Sequence, residues 1–539
     1  MVTFSTGPLL MNSSPQHLFD QALAHHTAGR WDEAGNLYRQ VVQLHPHHRL
    51  ALVHLGIIYQ QKGDMDAAID HFMRALRLAQ GPLPQPLIAT EPQLTWNLMG
   101  IACHQLGHLP EALVCYQQAL AIQPNYPAAL SNYGFALMAQ GKPVEATEPF
   151  NRALELQPDF PEAHSNLGTA WQEQDRYLEA EHCFRTAIRL QPTFAHAWYN
   201  LGLALQAQGN DQEALKALRQ AHQLEPGNPE THLAESLILL RLGEYEAGWI
   251  QHEWRWKTAG FHHHGQTKPL WDRSPLVGRT LLLHCEQGFG DSIQLIRYAP
   301  LVKSRGGTIV VQCPPALYSL FKTVAGVDHL VTNEHSPPPC DFQTPLLSLP
   351  RIMGTTLATI PNSIPYLGID PQQASFFHDL AKTIPNFKIG LSWRGNPKHK
   401  NDRNRSIHPR SLAQLADLKG ISLISLQKIK FADDLEAFSG WENFYDWGIW
   451  LNDFSATAAA IAALDLVIAV DSAVIHLAGA LGHPAWVLLP MVADWRWGFD
   501  GENSPWYPSV RQFRQPQPGA WDQVIASVKQ HLHSTQLCG

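Results

Sequence analysis

Small, aromatic and proline positions recur along the first half of the chain at one interval. Gly100, Gly134, Gly168 and Gly202 stand 34 residues apart. Twelve residues after each comes an alanine (Ala112, Ala146, Ala180, Ala214), and four further on a large apolar side chain (Tyr116, Phe150, Phe184, Leu218). Ala119, Ala153, Ala187 and Ala221 follow, then Pro124, Pro158, Pro192 and Pro226. A fixed period of this length marks stacked helical hairpins, each unable to bury its apolar face alone. The small positions let the two helices of a unit approach closely, the aromatic is expected to fill the gap between neighbouring units, and the proline closes the second helix. The frame extends backwards through Gly56, Phe72 and Ala75 and through Ala22, Gly29, Ala34, Tyr38 and Pro46. Forwards it continues more weakly through Ser236, Gly243 and Trp249, as a capping unit would. After a tail of residues 1–14, residues 15–262 thus read as about seven hairpins. The interval from Gly56 to Gly100 is 44 residues. The Pro-rich stretch GPLPQPLIAT supplies the excess as an insertion near 83–92, where the curvature of the stack should break.

The pattern changes after a linker over 263–278. TLLLHC, TIVVQC, VDHLVT and DFQTPLLSL are short apolar runs that read as strands, with helices predicted over SIQLIRYAPLVKSRG and PPALYSLFKTVAG. Strand–helix alternation predicts a parallel sheet with helices on its faces, here a small Rossmann-like lobe over 279–375. A second alternation runs through FKIGLSW, SLAQLADL, ISLISLQ, DFSATAAAIAAL, DLVIAV, SAVIHLAGALG and PAWVLLP, and predicts a second lobe over 386–535. Ligands of doubly wound sheets sit outside the carboxyl ends of the strands, which is where the motifs fall.

Charge and composition narrow the picture. A formal net charge of −8 over 539 residues gives no overall attraction to nucleic acid or an anionic membrane. The seven cysteines include no CxxC pair, which argues against a metal knuckle and for free thiols in a reducing compartment. The N-terminus carries no basic region followed by a long apolar run, and the most apolar stretch, Phe454 to Val470, is short and interrupted by Asp465. A cytoplasmic chain with no membrane span is expected. His262, His263 and His264 read as part of a polar connector, with no second ligand cluster in view.

Three segments can carry chemistry. In EQGFGD (Glu286–Asp291), Gly288 and Gly290 permit a tight turn and a close backbone approach to a ligand and are counted with the donor-binding residues, and Asp291 opens a helix. Its carboxylate either complements the helix start or faces the cleft as a general base. In AVDSAVIHLAGALGHP a strand ends at Val470, Asp471 and Ser472 make the turn, and Ala473 begins a helix of small residues. The N–H groups of that helix start suit a diphosphate, and His476 shares a face with Ser472. The alternative there is a close-packed helix with one buried histidine. SWRGNPKHKNDRNRS follows a strand from Ser392 and carries Arg394, Lys398, Lys400, Arg403 and Arg405, either a solvated charge run or a diphosphate-binding loop. Gln427, closing ISLISLQ, is counted with the donor-binding residues. Trp441, Trp447, Trp450, Trp495, Trp497, Trp506 and Tyr507 read first as core and lobe packing, with sugar stacking as the alternative.

The repeat pattern, as in WNLMGIACHQLGHLPEALVCYQQALAIQP, resembles the tetratricopeptide repeat (TPR), which implies an α-helical TPR solenoid whose concave face holds a protein or peptide. Over about residues 279–515 the chain resembles the bacterial heptosyltransferase-like glycosyltransferases of the two-lobed GT-B architecture. That resemblance implies an α/β GT-B-like domain of two Rossmann-like lobes, with Asp291 as catalytic base. It further implies that Ser392, Arg394 and Lys398 lie near the donor phosphates, and that Asp471, Ser472, Ala473 and His476 match the donor motif, Ala473 standing where that motif has glycine. The arrangement of repeats before such a domain also resembles protein O-glycosyltransferases. The expectation is a metal-independent glycosyltransferase, with no cofactor beyond a nucleotide-sugar substrate, acting on a protein bound by the repeats. The rivals are a non-catalytic scaffold with a degenerate nucleotide-sugar domain, and transfer to a lipopolysaccharide or other glycan acceptor.

Overall fold

The computed structural model of the chain describes residues 14–78, 92–258, 268–399, 401–416, 418–428, 431, 434, 436–498 and 501–536. The GPLPQPLIAT insertion, His262 to His264, Lys400 and Cys538 lie outside the described residues. Contacts divide the chain into two compact units, 1–205 and 206–539.

The first unit is built of packed helix pairs. α1 (Pro15–Thr27) packs on α2 (Trp31–Leu44), α3 (Arg49–Gln61) on α4 (Met65–Arg77), and α5 (Pro92–Gln105) on α6 (Leu109–Ile122). α7 (Pro127–Ala139) packs on α8 (Pro143–Leu156) and α9 (Pro161–Gln172) on α10 (Tyr177–Leu190), with α11 (Ala195–Ala207) next in the chain. α6, α8 and α10 each stop one residue before a glutamine cap, and Pro124, Pro158 and Pro192 follow, as the spacing required. Between the helices of a pair the backbone turns left-handed, at Gly107 (φ 78°) and Gly141 (φ 75°). Asp175 takes the same place in the next unit at φ 59°, where its carboxylate accepts from the Tyr177 hydroxyl at 2.7 Å. Asp tolerates this conformation better than most L residues because its short side chain bonds locally.

The aromatic packs on the glycine of its own unit. A Cβ on Gly100 would stand 2.5 Å from the Tyr116 ring, one on Gly134 2.8 Å from Phe150, and one on Gly168 2.6 Å from Phe184. The ring reaches the first helix only because that position lacks a side chain.

The second unit opens with α12 (Asp211–Leu224), α13 (Pro229–Arg241) and α14 (Tyr245–His252), then a 3-10 turn, Glu253–Lys257. The helical repeat pattern therefore runs in chain order to residue 252. α13 and α14 pack on a segment far along the chain: Arg241 donates to the Ala493 carbonyl at 3.4 Å, the Trp506 indole N–H donates to the Tyr245 hydroxyl at 2.9 Å, and Trp249 meets Trp495 edge-on at 5.1 Å. Residues 206–252 thus share a compact unit with the α/β region.

That region holds two all-parallel sheets. The first contains β1 (Thr280–His284), β2 (Thr308–Cys313), β3 (His329–Thr332) and β4 (Phe342–Pro345) in the order β3-β2-β1-β4, with Leu282 opposite Val310 and Gln343. The second contains β5 (Phe387–Ser392), β6 (Ile421–Ser425), β7 (Phe444–Asp446), β8 (Leu466–Val470), β9 (Ala485–Leu489) and β10 (Val510–Arg514). Its order is β10-β9-β8-β5-β6-β7, with Ser392 opposite Ala469. β6 and β8 are buried along their whole length, as expected of parallel strands covered on both faces. Strand order reverses between β1 and β4 in the first sheet and between β5 and β8 in the second.

Two helices differ from expectation. SIQLIRYAPLVKSRG is not one amphipathic helix: α15 (Phe289–Leu295) gives way to a 3-10 turn and then to α16 (Ala299–Lys303), because Pro300 cannot donate into a continuing helix. Its residues Ile293 to Ala299 are all buried. SLAQLADL forms only a 3-10 segment, Pro409–Leu415. The remaining helices are α17 (Pro315–Phe321), α18 (Leu349–Met353), α19 (Pro371–Lys382), α20 (Asp402–Arg405), α21 (Phe454–Ala462), α22 (Ala473–Ala480) and α23 (Trp521–Gln536).

Candidate functional site

The turn after β1 brings Asp291 to the second sheet. Gly288 is extended and caps the start of α15, and its N–H donates to Asp291 Oδ2 at 3.0 Å, so the carboxylate does close the helix start. A Cβ on Gly290 would stand 2.7 Å from the His476 ring, so this glycine lets the first turn of α15 lie directly on α22. The other oxygen, Asp291 Oδ1, accepts from Arg496. Burial pushes the Asp291 carboxyl above its ordinary range, against the pull of Arg496.

Asp471, Ser472, Ala473 and His476 meet this turn from the end of β8. Ser472 is the extended N-cap of α22, but its hydroxyl makes no capping bond. Its Oγ is shielded and has no hydrogen-bond partner among the described residues. His476 is buried, its Nδ1 is 3.0 Å from the Tyr507 hydroxyl, and its ring stacks on Trp497 at 5.3 Å. Burial holds its pKa well below the usual imidazole value, with Arg496 adding to the effect, so the ring is neutral. Its Nε2 lies 3.7 Å from Asp471 Oδ1. Burial and the nearby Asp494 push the Asp471 carboxyl up to about 6, with Arg405 pulling the other way.

The loop after β5 closes the same region, but several of its side chains are committed to the loop itself. Gln427 Oε1 accepts from Ser392 Oγ, the Trp393 N–H and the Arg394 N–H, each at 3.1 Å. Gln427 therefore clamps the strand end. Arg394 forks onto the buried Asp434 at 2.9 and 3.0 Å and lies over Phe431. Lys398 is exposed near the loop tip. Arg405 fits against Gly395, where a Cβ would stand 2.5 Å from its guanidinium. His399 lies within electrostatic reach of Asp494 and Asp291.

Sequence reasoning missed the residue at the centre. Arg496 bonds Asp291, Asp494 at 2.6 Å and Gln294 Oε1 at 2.8 Å, and lies over Trp495. It sits in ADWRWGFD, where the aromatics drew attention away from the cation. Trp447, Trp495, Trp497, Trp506 and Tyr507 are buried, so core packing accounts for them. Glu286 opens the turn that carries Asp291, and burial pushes it up to about 7 although Arg255 lies against it. No group of three His, Cys, Asp or Glu side chains converges as a metal site among the described residues. None of the described helices is long and apolar enough to cross a membrane.

Comparison with known proteins bears on the repeats. A solved TPR protein, YrrB, described as having an unusual peptide-binding site, is 18% identical over 37% of this chain and 98% of its own, with a TM-score of 0.27. A tetratricopeptide repeat protein from Parabacteroides merdae is 17% identical over 46% of this chain and 94% of its own, with a TM-score of 0.32. Protein FlbA of Caulobacter vibrioides is 29% identical over 336 residues, 56% of this chain and 55% of FlbA. The chain thus spans about half the length of this curated relative. Family models for the tetratricopeptide repeat match residues 15–81, 100–141 and 165–229. With the 34-residue register and the helix pairs already described, these matches make the N-terminal part of the chain an array of tetratricopeptide repeats.

Proposed function

We propose that the two parallel sheets form a GT-B-like glycosyltransferase that moves a sugar from a nucleotide-sugar to an acceptor hydroxyl on a protein held by the repeats. The observation that carries this reading is the juxtaposition of Asp291, Arg496, Ser472 and His476. The turn after β1, at the first sheet's strand-order reversal, meets the start of α22, at the second sheet's reversal. Such reversals are where open α/β sheets take ligands. In this scheme the donor diphosphate lies on the N–H groups that open α22, beside Ser472 Oγ and Arg405. Arg496 exchanges its carboxylate partners for the diphosphate, which releases Asp291 Oδ1. Asp291 then accepts the proton of the acceptor hydroxyl as its oxygen attacks the anomeric carbon, and the nucleoside diphosphate departs with the electron pair of the broken bond, its charge stabilised by the arginines.

Calorimetry of the full chain with UDP-, GDP-, ADP- and CMP-sugars, followed by hydrolysis and transfer assays, tests the scheme. One donor should bind and turn over, and Asp291→Ala should cut turnover by about 10²–10⁴-fold while leaving donor affinity within a few-fold. Full turnover in Asp291→Ala would remove Asp291 from the base role.

A second reading is a scaffold that binds a nucleotide-sugar without transferring it. It is favoured by the engagement of both Asp291 oxygens, one by the Gly288 N–H and one by Arg496. Donor binding with no turnover in the presence of acceptor decides for it.

A further inference from the structure

At the first sheet's strand-order reversal, an arginine from the end of the repeats helps tie the two strand ends together. Arg255 lies in the 3-10 turn directly after α14, the last repeat helix, and is completely buried. Its Nη2 donates to Glu286 Oε1 at 2.9 Å and its Nε to Glu286 Oε2 at 3.2 Å, a two-toothed fork. Nη2 also reaches Ser348 Oγ at 2.8 Å, and Nη1 reaches Glu253 Oε1 at 2.8 Å. Glu286 Oε1 in turn accepts the Leu347 N–H at 3.1 Å. Glu286 follows β1 and Leu347 follows β4, so one carboxylate joins the carboxyl ends of the two strands between which the order reverses, and the guanidinium that holds it comes from the repeat array.

A buried ion pair is weak support for stability, because an apolar pair of similar volume often serves as well. Its planar fork does fix direction. Four residues separate Glu286 from Asp291, and two of them are Gly288 and Gly290, which offer little stiffness of their own. We infer that Arg255 is a positioning residue: through Glu286 it anchors the near end of the 286–291 turn, so the terminal repeat holds the Asp291 carboxylate in register with Arg496 and the start of α22. The consequence for turnover rests on the transferase reading; the ordering of the turn does not.

The test is the full chain carrying Arg255→Met with Glu286→Leu, which removes both charges together. Thermal unfolding, amide exchange of peptides covering 283–295 and 143–156, and donor turnover are measured. The expected result is a midpoint within a few degrees of wild type, exchange over 286–292 at least about tenfold faster, and unchanged exchange in 143–156. Turnover should fall about tenfold or more with the donor KM within about twofold. Wild-type exchange over 286–292 in the folded double variant overturns the inference. Where the double variant fails to fold, Arg255→Lys takes its place, since it keeps the charge and loses the fork, and the same two exchange outcomes decide. A wild-type chain that turns over no donor sinks the transferase reading alone, and the exchange measurement still settles this one.

Discussion

Arg496 holds Asp291, Asp494 and Gln294 at once, in a side chain only 10% exposed. Removing one partner from a buried charge cluster leaves the others desolvated and unpaired. Arg496→Met should therefore cost about 3 kcal/mol in urea unfolding. It should also cut turnover about 10²-fold on the transferase reading. A stable Arg496→Met chain with normal turnover would contradict both roles. A different residue-scale cost lies in the first repeats. His26 and His54 are buried with ring centroids 5.3 Å apart, against Tyr38, Trp31 and Phe19, and Phe19 in turn meets the His48 ring. His26 Nδ1 and Nε2, His54 Nδ1 and Tyr38 Oη have no partner among the described residues. Burial lowers both imidazoles to about 4, and for His54 the neighbouring His26 and His48 add to it. Between pH 6.5 and 4 the unfolded imidazoles bind protons that the folded ones refuse, so stability rises with pH there and is lost on acidification. Each can remove up to about 3 kcal/mol by pH 4. Circular dichroism melts at pH 7, 5.5 and 4.5 should show an early phase growing as pH falls, and His54→Phe should shrink it. An identical pH series in the variant would refute the assignment.

At the scale of elements, the repeats were legible because five positions per unit do one packing job each, and the job leaves a mark at a fixed interval. What spacing alone did not reveal was the direction of the aromatic. Gly134 and Phe150 are 16 residues apart, one on each helix of a hairpin, and their contact belongs to the hairpin itself. Gly134→Ala should accordingly cost about 1–3 kcal/mol by overpacking, less the small gain in helix propensity. Phe150→Leu in the same chain should recover part of the loss, since its smaller side chain clears the new methyl. A double-mutant cycle in denaturant checks the coupling, and strict additivity would mean the ring packs elsewhere. In the α/β region the long buried strands β1, β2, β5, β6, β8 and β9 were readable as apolar runs. β7 and β10 were not: the first is three residues long, and the second reads VRQFR, where polar positions interrupt the run. The helix broken at Pro300 shows the limit of periodicity, since a proline within an apolar pattern can mark a restart as well as a continuation. Of the candidate site, Asp291, Asp471, Ser472 and His476 could be singled out because each lies at, or in the first turn after, a strand-to-helix junction, and the structure brings them together. Gln427 and Arg394 share that address, but their hydrogen bonds turn inward to the loop, which no spacing could disclose.

At the scale of the molecule, the change of sequence pattern predicts a border after residue 262, while the last repeat helix ends at His252 and contacts place α12 to α14 with the α/β region. The difference has a physical consequence. Trp495 and Trp506 are 3% and 1% exposed, and their neighbours include Trp249 and Tyr245 from the last repeat helix. The Glu286 carboxylate is paired by Arg255 from the turn after it. A chain of residues 263–539 would uncover the faces of both tryptophans and leave Glu286 buried without its guanidinium. Losing part of two tryptophan side chains and one buried ion-pair partner costs about 5 kcal/mol or more, comparable with the whole stability of a typical domain. Residues 206–539 keep all of these contacts. The longer fragment should therefore unfold cooperatively in urea, with tryptophan fluorescence blue-shifted in the folded state. The shorter one should be aggregation-prone or unfold at a much lower midpoint, with red-shifted fluorescence. Equal midpoints for the two fragments would show that the last repeat is dispensable to the α/β region.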